Sequence, residues 1–386
     1  MPAFMHGLPL RSALPDGFAV RKADPVTIGV LVGEGIGPEI VPAALSLLET
    51  LAQHGALRFE IHHGGVIGQA ALQASGQSLT RKVIDFAEEI FSMGGALFCG
   101  PGGARFVYEL RAHFDLYCKF TPLQPFPALR QCGPLVASRL IDVDIVTVRE
   151  NVGGLYQGAW STDIDADGRA LARHSFCYRE RDVDRIVGVA LRLARRRRNK
   201  LSLVLKPGGV PSISRLWSER SELLAAGTGV ALDVMEIDNA VYQLIARPAE
   251  FDVVVSPNMF GDVIADAGAL LLGSRGLSFS GNFSSDGKAA YQTGHGAAHD
   301  IAGTDRANPL GQMLSLAMML EESFALPSAA AAIRLAINDV LASGKRTRDI
   351  AEAHGTVLGT QAMTEQVRAA LALRLTAADR SDGATA

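Results

Sequence analysis

The chain has 386 residues, of which 48% are hydrophobic and 20% charged, and its formal net charge is −3. This length allows a large core and either two domains or one domain with a large insertion. The lack of an overall basic charge argues against a nucleic-acid-binding protein, and four scattered cysteines without a CxxC pair argue against a disulfide framework or a zinc site.

The two ends of the chain give little sign of structure. The first residues lack a basic segment followed by an apolar one, and no window of about 18 uncharged apolar residues occurs. We therefore predict no signal peptide, no membrane association and a cytoplasmic location, which fits the cysteine usage. Residues 1–22 and 376–386 are predicted to be loose tails.

Strand-like and helix-like segments alternate along most of the chain. We predict, in order, a strand, a helix, a strand, a helix, a strand and a helix running into a strand, at "VTIGVLVG", "PEIVPAALSLLETLAQHG", "FEIHHGG", "TRKVIDFAEEIFSMGG", "ALFCG" and "FVYELRAHFDLYCKFTP". The alternation continues through "VDIVTVRE", "RIVGVALRLARRRR", "LSLVLKPGG", "VALDVMEID", "NAVYQLIARP" and "FDVVVSPNMFGD". It indicates an α/β protein with a largely parallel sheet. Residues 151–180 interrupt it as an inserted arm or β-ribbon, and helices return from about Leu310.

Two short stretches each allow two interpretations. "GEGIGPE", from Gly33 to Glu39, follows a strand and opens a helix, so it is either a tight turn or an anion site at a helix N-terminus. Its GxGxG spacing differs from the GxGxxG of dinucleotide-binding Rossmann folds. "ARRRRNK", from Ala194 to Lys200, closes a helix, and we interpret it as a solvated helix end rather than a nucleic-acid patch.

The strongest chemical signal is the pair Asp262 and Asp266 in "NMFGDVIADAG". Residues four apart share one face of a helix, where two carboxylates repel each other unless a cation lies between them. Oxygen ligands without a nearby His or Cys favour Mg²⁺ or Mn²⁺. Asp238, between a strand and a helix, is either an N-cap or a third carboxylate of this site. Lys206, at the end of an apolar strand, is either an edge residue or a proton-transfer group.

A long polar segment, "HGAAHDIAGTDRANP", runs from His295 to Pro309. Ordered connections of this length are often binding loops. Its Asp300 either accepts a hydrogen bond from a ribose hydroxyl or caps a turn.

Six stretches in a fixed order make the chain similar to a known family. From about Val26 to Val367 it resembles the β-decarboxylating dehydrogenases, the family of isocitrate, 3-isopropylmalate, tartrate and homoisocitrate dehydrogenases. The stretches are "GEGIGPE", "ELRAHFDLY", "VRENVGGLYQG", "LVLKPGG", "IDNAVYQL" with "FDVVVSPNMFGDVIAD", and "HGAAHDIAGTDRANP".

The resemblance implies an open, twisted, mixed sheet of the isopropylmalate dehydrogenase type rather than a Rossmann fold. Two subdomains would share this sheet. Residues 23–120 and 272–375 would form a discontinuous cofactor-binding domain. Residues 121–271 would form a domain for dimerisation, metal binding and the catalytic lysine, with the arm at about 151–180 interlocking with a second subunit.

The resemblance also implies catalytic and metal-binding roles. Asp262 and Asp266 of one chain, with Asp238 of the other, would hold Mg²⁺ or Mn²⁺ against the substrate's hydroxyl and a carboxylate. Lys206 of the other chain would accept the hydroxyl proton, directly or through water, before hydride passes to the cofactor. Tyr156 would protonate the enolate carbon after CO₂ leaves. Activity would therefore require a homodimer.

The residues that would bind substrate depart from the family pattern. Arg111 and Arg149 keep positions that clamp carboxylates. The usual "DLYANLRP" reads "DLYCKFTP" here, so Thr121 replaces an arginine and Lys119 an asparagine. Lys119 is displaced by about 7 Å along the same strand face, and it either replaces the lost charge or faces the cofactor side.

The helix before Arg111 carries Arg105, Val107 and Tyr108, which suggest a mixed apolar and polar pocket in which Arg105 would meet a second anion. These residues match neither the isopropylmalate nor the isocitrate pattern, so the resemblance implies no named family substrate. Other departures from the usual pattern are Glu34, Gly208 and Gln292.

For the cofactor, the resemblance implies that His295 and Gly296 lie against the adenine and that Asn308 bonds it. Asp300 and Ile301 stand where NADP-using bacterial isocitrate enzymes carry a lysine and a tyrosine. Asp300 would repel a 2′-phosphate, so we predict NAD.

These features predict an NAD- and metal-dependent dehydrogenase that oxidises, with decarboxylation, a 3-substituted malate-type 2-hydroxy acid, with a non-standard substrate such as one of specialised metabolism. One alternative is a catalytically degenerate regulatory or structural paralogue, which Lys206, Tyr156 and the three aspartates speak against. Another is a tartrate- or malate-type enzyme that oxidises without decarboxylation, which the missing arginine motivates.

Overall fold

The computed structural model describes residues 9–15, 24–55, 57–352 and 356–383, with side chains described as far as residue 377. Much of the two predicted tails, residues 1–8, 16–22 and 384–386, lies outside the described residues.

The described chain alternates strands and helices, as the sequence predicts. The strands are β1 (Val26–Leu31), β2 (Phe59–His63), β3 (Ala96–Cys99), β4 (Cys118–Leu123), β5 (Ile145–Glu150), β6 (Ala159–Ile164), β7 (Ala170–Ser175), β8 (Lys200–Leu205), β9 (Ala231–Glu236), β10 (Val253–Ser256), β11 (Phe279–Phe283), β12 (Ala289–Thr293), β13 (Lys345–Arg346) and β14 (Thr356–Val357). The helices are α1 (Gly37–Gln53), α2 (Gly68–Ser75), α3 (Arg81–Ser92), α4 (Phe106–His113), α5 (Glu180–Arg195), α6 (Pro211–Ala225), α7 (Ile237–Ala246), α8 (Asn258–Gly268), α9 (Leu310–Glu322), α10 (Pro327–Ala342) and α11 (Thr360–Gly383).

A single ten-stranded sheet runs through the molecule in the order β2-β1-β3-β12-β11-β4-β5-β10-β8-β9. The strands on either side are parallel to their neighbours, but β11 pairs antiparallel with β12 and β4, and β4 pairs antiparallel with β5. The mixed sheet is confirmed. Strand–helix alternation does not predict its antiparallel centre, because β11 and β12 form a hairpin without an intervening helix.

Alternate residues of β3 show how helices cover both faces of the sheet. Phe98 packs in the main core with α1, α5 and α9, whereas Leu97 and Cys99 pack with α3 and α4. Because neighbouring strand residues point to opposite faces, the two apolar clusters lie on opposite sides. Helix α3 presents Val83, Ala87 and Ile90 to its cluster at helical spacing. In the part of the chain described, no helix combines the length and apolarity that a membrane span requires.

The segment that precedes β1 differs from the loose tail that the sequence suggests. Residues Leu10–Ala13 form a short 3-10 helix, and Ala13 is buried. The backbone N–H groups of Leu10 and Arg11 each donate to the carboxylate of Glu322 on α9, at 2.8 Å. A buried carboxylate thus ties this segment to the core. At the other end, α11 continues through residues 376–383.

The basic run at the end of α5 is largely solvated, as we predict, since Arg195, Arg196 and Arg198 are exposed, but the run also has a structural role. Arg197 donates through Nε to Asp252 at 2.6 Å, and Asp252 is completely buried. The backbone N–H of Arg198 donates to the other oxygen of that carboxylate at 2.7 Å. What the prediction missed is this contact, because a buried carboxylate requires paired charge and hydrogen bonds, and Arg197 and Arg198 supply them.

The predicted arm is an exposed β-ribbon. Strands β6 and β7 pair antiparallel along their whole length. The large apolar side chain of Ile164 on this ribbon is 75% exposed. The prediction of a β-ribbon within residues 151–180 is therefore confirmed.

Candidate active site

The two aspartates of α8 lie one turn apart among cations. Oδ1 of Asp262 forms an ion pair with Arg149. Its Oδ2 accepts a hydrogen bond from the hydroxyl of Tyr156 at 3.1 Å. Asp266 accepts from Arg275 at 2.8 Å. Burial by itself would raise the pKa of Asp262, but the charges of Arg149 and Lys119 outweigh it and hold that pKa below its ordinary value. Asp262 is therefore charged at neutral pH.

Arg149 is fixed at the end of β5 by residues that sequence reasoning missed. Its Nε and Nη2 both donate to Oδ1 of Asn258, at 3.1 and 2.8 Å. Asn258 in turn donates to the carbonyl of Gly153 at 2.8 Å. A Cβ at position 261 would lie 2.8 Å from Cγ of Arg149, so Gly261 is needed for this close approach. Asn258 and Gly261 both stand in "NMFGD", shortly before the predicted Asp262.

Two further cations, Arg111 and Lys119, are buried in the same cleft. They are 4% and 6% exposed, and neither side chain forms a hydrogen bond or ion pair with any residue that the structure describes. Lys119 on β4 pairs in register with Arg149 on β5, and both arginines act on its charge. Burial, followed by the charges of Arg111 and Arg149, lowers the pKa of Lys119 well below its ordinary value.

Burial and the charge of Arg149 likewise lower the pKa of Arg111 to about 9. Thr121, on the same strand as Lys119, is buried, and its hydroxyl has no partner in the described part of the chain. Isolated buried cations are unfavourable. An anionic ligand between Arg111 and Lys119 would relieve that cost.

Tyr156 lies on the other side of this cleft. Burial, followed by the negative charge of Asp262, raises the pKa of Tyr156 to about 12. Its ring lies 5.2 Å from that of Tyr108 on α4, and Gln157 donates to the carbonyl of Tyr108 at 2.9 Å. Val107 packs against the apolar cluster under α3 and α4.

Lys206 and Asp238 form a separate group. The ammonium of Lys206 contacts Asp238 and Glu236, both at 2.6 Å. The hydrogen bonds with Asp238 and then Glu236 raise the pKa of Lys206. Asp238 is 70% exposed at its side chain, so this group faces outward.

The three aspartates assigned to the metal do not meet within one chain. Among the described residues, no three His, Cys, Asp or Glu side chains are arranged to hold a metal ion. Asp262 and Asp266 still offer hard oxygen ligands of the kind that Mg²⁺ and Mn²⁺ prefer. A complete site would need at least one ligand from elsewhere.

The glycine-rich turn after β1 packs against the long polar loop. Gly35 has a φ of +57°, and a Cβ there would lie 1.9 Å from the carbonyl oxygen of Ala297. Ile36 donates to that carbonyl at 2.9 Å, and Glu39 in the first turn of α1 accepts from the backbone of Asp305 at 3.2 Å. The turn thus holds residues 294–305 in place.

The predicted cofactor residues lie in or just beyond this loop. Burial lowers the pKa of His295, whose Nδ1 donates to the carbonyl of Gly296 at 3.0 Å and whose Nε2 has no partner among the residues described. Asp300 is exposed and Ile301 half-buried. Asn308 already caps α9, accepting from Leu310 at 3.0 Å, and it donates to Asp349 at 3.0 Å. Asn308 therefore has a structural role besides any contact with a cofactor.

Comparison with known proteins agrees with this architecture. A family model described as "Isocitrate/isopropylmalate dehydrogenase" matches residues 27–367. The chain is 36% identical to the 3-isopropylmalate dehydrogenase of Bacillus licheniformis, over 89% of this chain and 95% of that protein. It is 38% identical to the 3-isopropylmalate dehydrogenase of Synechococcus sp. (strain JA-3-3Ab), over 89% and 93%. The crystal structure of isocitrate dehydrogenase from Methylococcus capsulatus superimposes with a TM-score of 0.79 at 30% identity, covering 90% of this chain and 99% of that one.

Proposed function

Because this chain belongs to the isocitrate/isopropylmalate dehydrogenase family, we propose that it is a dehydrogenase that oxidises and decarboxylates a 3-substituted malate-type 2-hydroxy acid, using NAD and Mg²⁺ or Mn²⁺. The observation that carries the proposal is the pair of buried, unpaired cations Arg111 and Lys119 beside the carboxylates Asp262 and Asp266. Such a cleft attracts a substrate carboxylate on one side and a divalent cation on the other.

Each side chain has a distinct task in this proposal. Arg111, Arg149 and Lys119 bind and orient the substrate's carboxylate, with the arginines able to make bidentate contacts. Asp262 and Asp266 hold the metal, which when bound polarises the substrate's hydroxyl and carbonyl oxygens. Tyr156, with a pKa of about 12, keeps its proton at neutral pH and can donate it as a general acid.

Lys206 must lose a proton before it can act as the base. In a single chain, Asp238 and Glu236 hold that proton on the ammonium. If Asp238 instead serves a metal in the neighbouring subunit's cleft, its hold on the proton of Lys206 weakens. The outward position of Lys206 and Asp238 therefore supports a homodimer with shared active sites. The exposed arm supports the same dimer.

The altered clamp supports a non-standard substrate. In the usual family pattern an arginine stands at the position of Thr121. Here the positive charge is instead the compact ammonium of Lys119, two residues earlier on the same strand. Tyr108 beside Tyr156 narrows the cleft where the substituent of a 3-substituted malate would lie. The free hydroxyl of Thr121 leaves room for a further hydrogen bond to substrate.

The loop residues support NAD as the cofactor. Asp300 is an exposed carboxylate that can accept from both ribose hydroxyls and repels a 2′-phosphate. His295 has an unpartnered Nε2 toward which an adenine can be placed, with Gly296 and Ile301 beside it. A cytoplasmic location is consistent with such a cofactor and is part of the proposal.

Subunit complementation tests the shared site. We expect Lys206→Ala and Asp262→Asn homodimers to be inactive with NAD and Mn²⁺. Mixed dimers combine the intact Lys206 of one chain with the intact Asp262 of the other. Equal co-expression would restore about a quarter of wild-type activity, since half the dimers are mixed and each has one intact site. No recovery in purified mixed dimers would refute sharing.

Loss of one carboxylate clamp also favours oxidation without decarboxylation as a second candidate. Measuring CO₂ released per NADH formed, over a panel of malate, tartrate, isocitrate and 3-isopropylmalate, separates the two reactions. A ratio near one supports the first proposal, and a ratio near zero supports the second. No turnover of any 2-hydroxy acid, with NAD and Mn²⁺ still bound, would favour a degenerate paralogue.

A further inference from the structure

Arg105, at the start of α4, reaches across the cleft to the segment that carries Tyr156. Its Nη2 donates to the carbonyl of Tyr156 at 3.0 Å. Its guanidinium lies 4.6 Å from the ring centroid of Trp160 on β6 and 5.4 Å from that of Tyr108. Both distances are within the range of cation–π attraction. Among the residues described, no carboxylate pairs with this arginine.

A second side chain reinforces the same segment from the arm. His174 on β7 stacks with Trp160, with centroids 6.1 Å apart and planes inclined by 22°. Its Nε2 lies 2.6 Å from the carbonyl of Leu155, and because a carbonyl only accepts, Nε2 carries the hydrogen. Arg105 and His174 therefore both contact the Trp160 ring, and they bind two consecutive carbonyl groups at Leu155 and Tyr156.

We propose that Arg105, with Trp160 and His174, forms a clasp that positions the Tyr156 hydroxyl for proton donation. This inference rests on the function proposed above, in which Tyr156 is the proton donor. Arg105 and His174 are positioning residues, because they act on the backbone around Tyr156 and not on the substrate.

The local backbone explains why such a clasp is needed. Tyr156 lies in a 3-10 helix of three residues, Leu155–Gln157, between Gly154 and Gly158. A single short turn has weak internal hydrogen bonding, so it holds a side chain poorly by itself. The phenol is bound to Asp262 at one end. Arg105 and His174, which donate to two adjacent carbonyls, hold the backbone of the same short helix.

The clasp also links Tyr156 to the anion clamp, the three cations Arg111, Arg149 and Lys119 that are proposed to bind the substrate's carboxylate. Arg105 and Arg111 lie at the two ends of α4, so a movement of this helix would shift both the substrate's carboxylate and Tyr156. Arg105 has its guanidinium occupied by one carbonyl and two rings. This arrangement opposes the earlier expectation that Arg105 meets a second anion of the substrate.

Kinetics of Arg105 variants test the proposal. The assay uses NAD, Mn²⁺ and whichever of malate, tartrate, isocitrate and 3-isopropylmalate gives the fastest turnover. We expect Arg105→Ala to lower kcat at least about tenfold, since small misplacements of a catalytic group have large effects on rate. The KM values for NAD and the hydroxy acid would stay within about twofold. Arg105→Lys, which keeps a donor and charge, would recover part of kcat. Arg81→Ala, on the outer helix α3, is the matched arginine control and would leave kcat unchanged.

Tryptophan fluorescence gives a readout that does not depend on turnover. The chain has two tryptophans, and Trp217 is fully buried. In a Trp217→Phe background, Trp160 is the single reporter. Trp160 is 58% exposed, and Arg105→Ala in that background should increase its quenching by acrylamide further, because the ring loses one of its two stacking contacts. Arg81→Ala should leave the quenching as it was.

The outcomes separate this inference from the proposed function. Increased Trp160 quenching with an unchanged kcat would overturn the clasp and leave the proposed function intact. A raised KM for the hydroxy acid with normal kcat would also overturn it, because Arg105 would then bind substrate. An inactive wild-type protein would overturn the proposed function and, with it, the role of the clasp. Unchanged quenching in Arg105→Ala would contradict the stacking itself.

Discussion

Replacing Lys119 by methionine should make the protein more stable and much less active. Lys119 is buried without a partner anion in the described structure, and Arg111 and Arg149 add like charges. Methionine has a similar length and no charge, so Lys119→Met removes the cost of burying the ammonium while filling the same space. The same change removes one of three cations from the anion clamp.

The size of both effects follows from the burial of this side chain. Replacing a buried, poorly compensated charge by an apolar residue stabilises a protein by about 1–4 kcal/mol. Losing a buried charged contact to the substrate costs about 2–5 kcal/mol in transition-state binding, which is about 30-fold to several thousandfold in kcat/KM.

The pH dependence gives an additional signature. The folded pKa of Lys119 is depressed, so the unfolded chain binds more protons between that pKa and the ordinary value of 10.5. Wild-type stability therefore rises with pH across this window. The advantage of Lys119→Met should therefore be larger at pH 7 than at pH 10.

Denaturant unfolding at pH 7 and pH 10, with kcat/KM measured using NAD and Mn²⁺, checks both effects. Lys82→Met on α3 removes an exposed lysine and serves as the matched control. A less stable Lys119→Met variant, or one whose kcat/KM stays within about threefold of wild type, would refute our account of this lysine.

Three further predictions test the clamp, the metal pair and the N-terminal attachment. The double change Lys119→Asn with Thr121→Arg restores the usual family pattern, and kcat/KM for isocitrate or 3-isopropylmalate should exceed that of Lys119→Asn alone; equal values would show that these positions do not share one task. Saturating Mn²⁺ should stabilise the wild type by about 2–3 kcal/mol at a hundredfold excess over Kd, but should not stabilise Asp262→Asn, as thermal unfolding would report. Burial, followed by Glu321, raises the pKa of Glu322 to about 7, above the ordinary 4.5, so this carboxyl makes the wild type less stable as pH rises from about 4.5 to about 7. Relative to wild type, Glu322→Gln should therefore gain on the order of 3 kcal/mol in unfolding free energy between pH 4.5 and pH 8; an unchanged difference would contradict the raised pKa.

The sequence was sufficient for the family, the mixed sheet and the grouping of Arg111, Arg149 and Lys119 with Asp262. These features follow from the family resemblance carried by the six stretches, since the alternation of strands and helices by itself indicates a largely parallel sheet. Family membership and fold are confirmed by the match to residues 27–367 and by the superposition on isocitrate dehydrogenase.

Other features depend on contacts between distant segments, which no local pattern contains. The partner of Arg197 is Asp252, more than fifty residues away and invisible as a buried charge until the strands are assembled. Gly261 is required because Arg149 passes over it, and Trp160 gains its role from Arg105 on another element. The roles of Lys206, Asp238 and the cofactor loop remain predictions.

The attachment of the basic run to Asp252 also affects how the folded protein meets a protease. Trypsin must take an arginine side chain into its specificity pocket and draw the surrounding backbone into an extended form. The side chain of Arg197 and the backbone of Arg198 are both held by Asp252. Cleavage after Arg197 is thus disfavoured in the native state, and a cut at that bond would report that the end of α5 has separated from Asp252.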